Sequence, residues 1–390
     1  MINPFLGGWL FHPAAVDLIA DTCLNNCSYC FTEINKKNMT PSSMSSIKSA
    51  IKKLYFLDES MESYFINQNF PLCVSNLTDM FSPNNHNNAI ALFTHLQEKS
   101  NGIFIQTKGC KNFFDVFAPL NGKKEIVIYL TITTLREEVA RVQEPGAPTV
   151  KERFEIAEGL SKLGYSVAIA LNPLSAQWIC PNELPIYAQM ARDAGVDDII
   201  IELLDISPGR KKRLTQSRID RLGPALNDPK GKADYEMMRT AVIYFVENGF
   251  NVSKSGMPFR TEIFNKWEKI LKKVIPNNQK FINYAIDNKL DTLYFSDYIK
   301  IIDSFGLDLD YNHGHNKLRS YLLRANTRIW KKYRYIRINN FRELLRVCWN
   351  EKRLPTSMQR YFLCYDTGRI DSDGNVIIGF QHDAPKLKQE

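Results

Sequence analysis

The sequence predicts an α/β protein: parallel βα units over residues 1–207, then a mainly helical extension over residues 208–390 that ends in a small β-hairpin. Three observations carry this reading. Apolar, β-branched runs alternate with helix-like stretches from Ala15 to about Ser207, the pattern of strands joined by crossover helices. Beyond Ser207 the apolar residues recur at helical spacing instead. Near the C-terminus, Asp373-Gly374-Asn375 separates two strand-like runs, as a hairpin turn does.

Six strands are expected, at residues 15–20, 71–75, 102–107, 125–134, 167–171 and 198–204. Helices are expected between them at 42–56, 87–99, 112–117, 150–163 and 182–194. The fourth of these is announced by Pro148-Thr149, a plausible cap and first turn. In the extension the strongest helical pattern covers 235–248 and stops at Gly249, where a left-handed residue would end it.

Composition sets the outer limits. A chain of 390 residues that is 44% hydrophobic and 24% charged has ample core for one large domain and an appended one, and it excludes the disordered class. A net charge of +8 suits a polyanionic partner and plain solubility alike. The first sixteen residues carry no charge, but they lack the basic start and small-residue cleavage site of a secretory signal. No apolar run reaches the roughly 18 residues that span a bilayer, so the expected location is cytoplasmic, without membrane attachment.

The most informative chemistry lies in Cys23, Cys27 and Cys30, spaced C-x3-C-x2-C directly after the first expected strand, within the loop 21–31. Three thiolates at this spacing suit an iron–sulfur cluster with one iron left open for a ligand. A structural zinc site would need a fourth ligand, for which the nearest candidates are His12 and Cys73. Reduced thiols of this kind belong in a reducing compartment.

Thr22 before the first cysteine, Asn25 and Asn26 between the cysteines, and Tyr29-Cys30-Phe31 at the end resemble the signature of the radical S-adenosylmethionine (radical SAM) superfamily. The resemblance implies a [4Fe-4S] cluster and S-adenosyl-L-methionine (SAM) as cofactors, and an electron donor such as flavodoxin or ferredoxin. It also implies a partial (β/α)6 TIM-like barrel, with the chemistry at the C-terminal ends of the strands. Reductive cleavage of SAM would yield a 5′-deoxyadenosyl radical that abstracts hydrogen from a substrate.

Below the superfamily, the chain resembles the spore photoproduct lyase and DNA-repair-photolyase-like group. After the second strand, Asn76, Thr78, Asp79 and Pro83 are similar to that group's Thr-Asp-x-x-x-Pro turn, where many superfamily members have a glycine-rich one. The same residues read equally well as an N-cap turn before the helix at 87–99. Lys108 at the third strand end and Thr131 and Thr133 at the fourth match further positions of the group. The stretch Glu144-Pro145-Gly146-Ala147-Pro148 with Arg153 resembles its Glu-Pro-x-Ala-Pro segment.

The resemblance therefore implies SAM contacts from Tyr29, Asn76, Asp79, Lys108, Thr131 and Thr133, with Asp79 or the carbonyls beside it facing the ammonium and Lys108 the carboxylate. It covers roughly residues 15–174. Cys73 sits where this group carries a cysteine that returns a hydrogen atom to the product radical, although a buried cysteine is commonly a small core residue. Cys110 and Cys180 lack partners at ligand spacing and read as structural.

Two basic stretches bear on the substrate. Pro208-Gly209-Arg210-Lys211-Lys212-Arg213 follows the last expected strand, and residues 324–346 interleave eight Lys or Arg with aromatic side chains. Both fit a nucleic acid surface, and both fit a solvated loop or an amphipathic helix. Cys348 and Cys364 are too few for an auxiliary cluster, and His313 and His315 receive no role. The leading expectation is a radical SAM enzyme acting on a nucleic acid base; the rivals are a peptide- or protein-modifying radical SAM enzyme and a non-enzymatic nucleic-acid-binding protein with a structural metal.

Overall fold

The computed structural model describes residues 2–3, 14–16, 23–30, 43, 45, 48–49, 52, 67, 72–74, 78–82, 85–97, 99–110, 113–118, 125–253, 287–303, 309–312, 335–350 and 364–380. The chain divides into two compact units. The first comprises Met1–Ile2, Ala15–Ile51 and Pro71–Phe264; the second comprises Asn3–Ala14, Lys52–Phe70 and Asn265–Glu390.

Eight strands lie side by side in chain order: β1 (Ile2–Asn3), β2 (Ala14–Val16), β3 (Leu72–Val74), β4 (Ile103–Thr107), β5 (Ile126–Thr131), β6 (Ser166–Leu174), β7 (Asp198–Leu203) and β8 (Asn251–Ser253). From β3 to β8 every neighbouring pair is parallel. The helices between them are α1 (His86–Gln97), α2 (Phe113–Phe117), α3 (Glu137–Gln143), α4 (Val150–Lys162), α5 (Leu184–Asp193), α6 (Pro208–Lys211), α7 (Gln216–Leu222) and α8 (Lys232–Glu247). This is the predicted α/β fold, a parallel βα sheet of the partial-barrel kind.

Strand register explains the layering. Cys73 pairs with Phe104 and Gln106 with Tyr129, so these side chains share one face, on which the Phe104 and Tyr129 rings meet edge to face at 4.1 Å. Leu130 belongs to the opposite face. It packs beside Ile156 of α4 at Gly109, where a Cβ would stand 2.8 Å from the Ile156 side chain and 3.3 Å from that of Leu130. Strands buried on both faces read as continuous apolar runs, which is why Ile126–Thr131 was legible as a strand.

Helix α4 begins as expected. Thr149 accepts a hydrogen bond from the Glu152 amide, and the Glu152 side chain in turn accepts one from the Thr149 amide. The sheet extends past the six expected strands, because α8 leads into β8, which pairs with β7. Most of the helix expected at 42–56 lies outside the described residues.

In the second unit, β9 (Thr292–Leu293), β10 (Cys364–Ile370) and β11 (Val376–Phe380) form an antiparallel sheet in the order β10, β11, β9. The hairpin turns at Asp371–Asn375, with Gly374 at φ 77°, and the Asp371 carboxylate accepts from the Asp373 and Asn375 amides. Helices α9 (Phe295–Asp303) and α10 (Phe341–Asn350) bring Phe295, Tyr298 and Trp349 into one aromatic cluster. Of the basic stretch 324–346, residues 324–334 lie outside the described residues, as do His313 and His315. In the described part, Arg342 pairs with Asp310 at 2.7 Å, and Arg346 donates to Asn375 at 3.0 Å. Cys348 falls on α10 and Cys364 on β10.

Candidate functional site

The three cysteines lie on a loop held against the C-terminal ends of the strands. Two tight turns shape it: the Asn26 amide bonds the Cys23 carbonyl at 3.2 Å, and the Cys30 amide bonds that of Cys27 at 3.3 Å. Asn26 takes φ 44°, a left-handed conformation that asparagine tolerates better than most residues. Cys27 is buried at 7% exposure, while Cys23 and Cys30 are partly exposed, and none of the three is in a disulfide.

Neighbouring segments pin the loop residue by residue. After β3, the Ser82 hydroxyl accepts from the Leu24 amide, and Asp79 accepts from the Asn25 side chain at 3.0 Å. After β5, the Ser28 amide bonds the Gln143 carbonyl at 2.8 Å, and the Gly146 amide bonds the Asn25 carbonyl at 3.2 Å. Helix α7 closes the circle, with Arg221 donating to the Asn26 carbonyl at 2.8 Å and Arg218 to that of Cys30 at 3.3 Å. The Tyr29 ring packs on a buried cluster of Trp178, Leu204, Ile206, Leu222, Ala225 and Leu226, with its centroid 5.6 Å from that of Trp178.

Beneath the loop sits a buried ion network centred on Glu144. One carboxylate oxygen accepts from the Tyr29 hydroxyl, from Lys108 Nζ at 2.8 Å and from Thr133 at 3.2 Å. The other accepts from Arg153, whose guanidinium also reaches the carbonyls of Thr131 at 3.1 Å and Pro148 at 2.8 Å. Lys108 Nζ donates to the Tyr29 hydroxyl as well, at 2.8 Å, so two of its three hydrogens are engaged within the chain. Glu144 and Arg153 are each only 1% exposed. Burial opposes ionisation of Glu144, but Arg153 and Lys108 outweigh it and hold the carboxyl at about 2. Burial and the Glu144 charge keep the Tyr29 phenol protonated, well above its ordinary range.

Asp79 is the second buried carboxylate. One of its oxygens accepts from the Asn25 side chain and the Lys108 amide, at 3.0 and 2.8 Å; the other accepts from the Phe81 amide and the Thr107 hydroxyl, at 3.0 and 2.8 Å. Its four acceptor sites are thereby occupied within the chain. Burial nonetheless raises its pKa against those donors. Asn85, whose side chain donates to the Asp79 carbonyl at 3.0 Å, starts α1, so this turn also caps a helix.

Of the residues expected at a SAM site, the structure brings Tyr29, Lys108 and Thr133 together on Glu144, sets Asp79 against the Lys108 amide, and has the Thr131 carbonyl accept from Arg153. Asn76 lies outside the described residues. Cys73 is fully buried in the middle of β3. Sequence reasoning quoted Glu144 and Arg153 only as parts of a proline-bounded segment and gave them no place in the site.

The thiols answer whether the loop fits a cluster. Burial pushes Cys27 up to about 12; Lys108 works against this, while Glu144, Cys30 and Cys23 add to it, so the three sulfurs lie in one another's field. Burial, followed by the nearby Asp79 charge, also raises Cys23. Among the described residues no group of three or more His, Cys, Asp or Glu side chains is disposed to hold a metal ion. A tetrahedral ion draws thiolates to about 2.3 Å from a single centre, whereas a cluster spreads them over several irons. Three free thiols carried on one loop are the donor chemistry that an iron–sulfur cluster uses.

No family model matches the chain. A sequence relative, "Uncharacterized protein ORF301" of Acidianus two-tailed virus, is 21% identical over 193 residues, which cover 47% of this chain and 64% of that protein. Among solved structures, Streptococcus suis SuiB bound to precursor peptide SuiA aligns over 68% of this chain and 52% of its own, at 12% identity and a TM-score of 0.44. Spore photoproduct lyase complexed with dinucleoside spore photoproduct aligns over 59% of this chain and 73% of its own, at 12% identity and a TM-score of 0.46. The chain thus spans about half the length of SuiB and somewhat less than two thirds of the viral relative.

Proposed function

We propose that this chain is a radical SAM enzyme in which Cys23, Cys27 and Cys30 hold a [4Fe-4S] cluster. The supporting observation is the loop itself: three thiols at C-x3-C-x2-C spacing, fixed over the ends of parallel strands by contacts from four surrounding segments. When bound, the cluster and SAM would supply a 5′-deoxyadenosyl radical that removes hydrogen from the substrate, the electron coming from a small donor such as flavodoxin or ferredoxin.

The chain's residues would bind and orient the cofactors. Lys108 keeps one ammonium hydrogen for the SAM carboxylate, with Thr131 beside it offering a hydroxyl. Asp79 serves by orienting Asn25 and the Lys108 amide, which leaves the SAM ammonium to Asn76 and to carbonyls of that turn. Tyr29, stacked near Trp178, forms an apolar wall that excludes water. The test is anaerobic reconstitution followed by an assay for 5′-deoxyadenosine. The wild-type chain is expected to release it and Cys27→Ala to lose it; equal release by both would overturn the reading.

The substrate we propose is a nucleic acid base. Lys211, Lys212 and Arg213 are exposed on the segment between β7 and α7, and α7 supplies the two arginines that grip the cysteine loop. Exposed cations on the segment that leads into α7 suit a phosphodiester backbone. Cys73 would be the hydrogen donor, for which Cys73→Ala with altered product distribution is the expected result and unchanged products the contrary one.

A further inference from the structure

We propose that Glu144 is a positioning residue for the cysteine loop: it ties Tyr29 to the sheet, and it sets the net charge that Lys108 and Arg153 present to the three thiols. The inference rests on the reading that those thiols hold a cluster, and it concerns Glu144 and Arg153, to which no SAM contact is assigned.

The geometry carries it. Glu144 is the point at which four segments meet: the cysteine loop through Tyr29, the end of β4 through Lys108, the segment after β5 through Thr133, and α4 through Arg153. Tyr29 lies between Cys27 and Cys30 in sequence, so fixing its hydroxyl fixes the turn that carries both thiols. Glu144 itself meets two cations, Lys108 at 2.8 Å and Arg153, while Asp79, the second buried carboxylate, stands at the Lys108 amide. These charges sit beside the cysteine loop, because Lys108 Nζ and Glu144 both bond the Tyr29 hydroxyl, and Tyr29 stands between Cys27 and Cys30. A fixed charge in a poorly screened interior shifts the redox balance of a neighbouring cluster. Lys108 and Arg153 favour the more negative, reduced state, and Glu144 tempers that preference.

The experiment uses the full chain, before and after anaerobic reconstitution, in the variants Glu144→Gln, Lys108→Met and Tyr29→Phe. In the unloaded chain, hydrogen exchange at residues 23–30 is expected to speed up in Glu144→Gln and Tyr29→Phe. In the loaded chain, an EPR-monitored redox titration is expected to give a higher midpoint potential for Glu144→Gln, a lower one for Lys108→Met, and an unshifted one for Tyr29→Phe, which changes no charge. If Glu144→Gln does not fold, the other two decide, since Lys108→Met leaves the balanced Arg153–Glu144 pair in place. Wild-type potentials in all loaded variants, or unchanged exchange in Tyr29→Phe, would overturn the proposal. Failure of the wild type to take up more iron than Cys27→Ala would instead overturn the cluster reading on which it rests.

Discussion

At the scale of single residues, two positions near the cysteine loop make sharp demands. A Cβ on Gly146 would stand 1.7 Å from the Leu24 carbonyl oxygen and 2.7 Å from its carbon, both backbone atoms that cannot swing aside. Gly146→Ala should therefore dislodge the loop, lowering both the melting temperature and iron uptake. Gly209→Ala, where a Cβ meets nothing within 4 Å, is the control and should lower neither. Equal behaviour of the two variants would contradict the docking of the loop. Glu144 makes a second demand, through pH. Its folded pKa of about 2 lies below its ordinary 4.5, so its stabilisation is complete above about pH 4.5 and is lost as the pH falls toward 2. Asp79, raised by burial, works in the opposite sense and favours the fold when protonated. Urea midpoints measured across this window should fall toward acid in the wild type and fall less steeply in Glu144→Gln; parallel slopes would remove Glu144 from the acid response. At neutral pH, Glu144→Ala leaves buried Arg153 and Lys108 without the carboxylate that both bond and should cost about 3–5 kcal/mol.

At the scale of elements, α4 shows how far local sequence decides structure. Its start is written in Thr149 and Glu152, which bond each other reciprocally, and Thr149→Ala should destabilise the chain by about 1 kcal/mol in denaturant unfolding. A loss below a few tenths would mean that the helix is started by packing alone. The inner strands were legible for a related reason: residues 126–130 and 103–105 are continuous apolar runs because both of their faces are covered. Strand β8 was not legible. Asn251-Val252-Ser253 has neither the length nor the apolar content of a strand, and it becomes one by lying in register with Ile199 and Ile200 of β7. Glu144 was missed for the same kind of reason. A glutamate followed by Pro145 and Gly146 reads as part of a loop fixed by prolines, and only the approach of residues 29 and 108, distant in sequence, together with Arg153 of α4, makes it the buried centre of the site. The cysteines needed no such help, since their spacing alone carries the signal.

At the scale of the whole molecule, charge is the property that bears most on the substrate. The net charge is +8, and Lys211, Lys212 and Arg213 are exposed on the segment between β7 and α7, the helix that holds the cysteine loop. A backbone of phosphates bound there would release counterions, so the logarithm of the binding constant should fall linearly with the logarithm of salt concentration. The slope should be roughly −0.7 to −0.9 per phosphate contacted, the smaller figure for single strands. Reversing Lys212 and Arg213 together, as Lys212→Glu with Arg213→Glu, removes two such contacts and should flatten the slope by about 1.4 to 1.8 units while weakening binding across all sequences. Neither side chain belongs to the Glu144 network or to the grip of α7 on the cysteine loop, so iron uptake should stay at the wild-type level in the same variant. A wild-type chain that binds oligonucleotides with no salt dependence, or a double variant with an unaltered slope, would move the substrate away from nucleic acid and toward a peptide, while leaving the cysteine loop and its chemistry untouched.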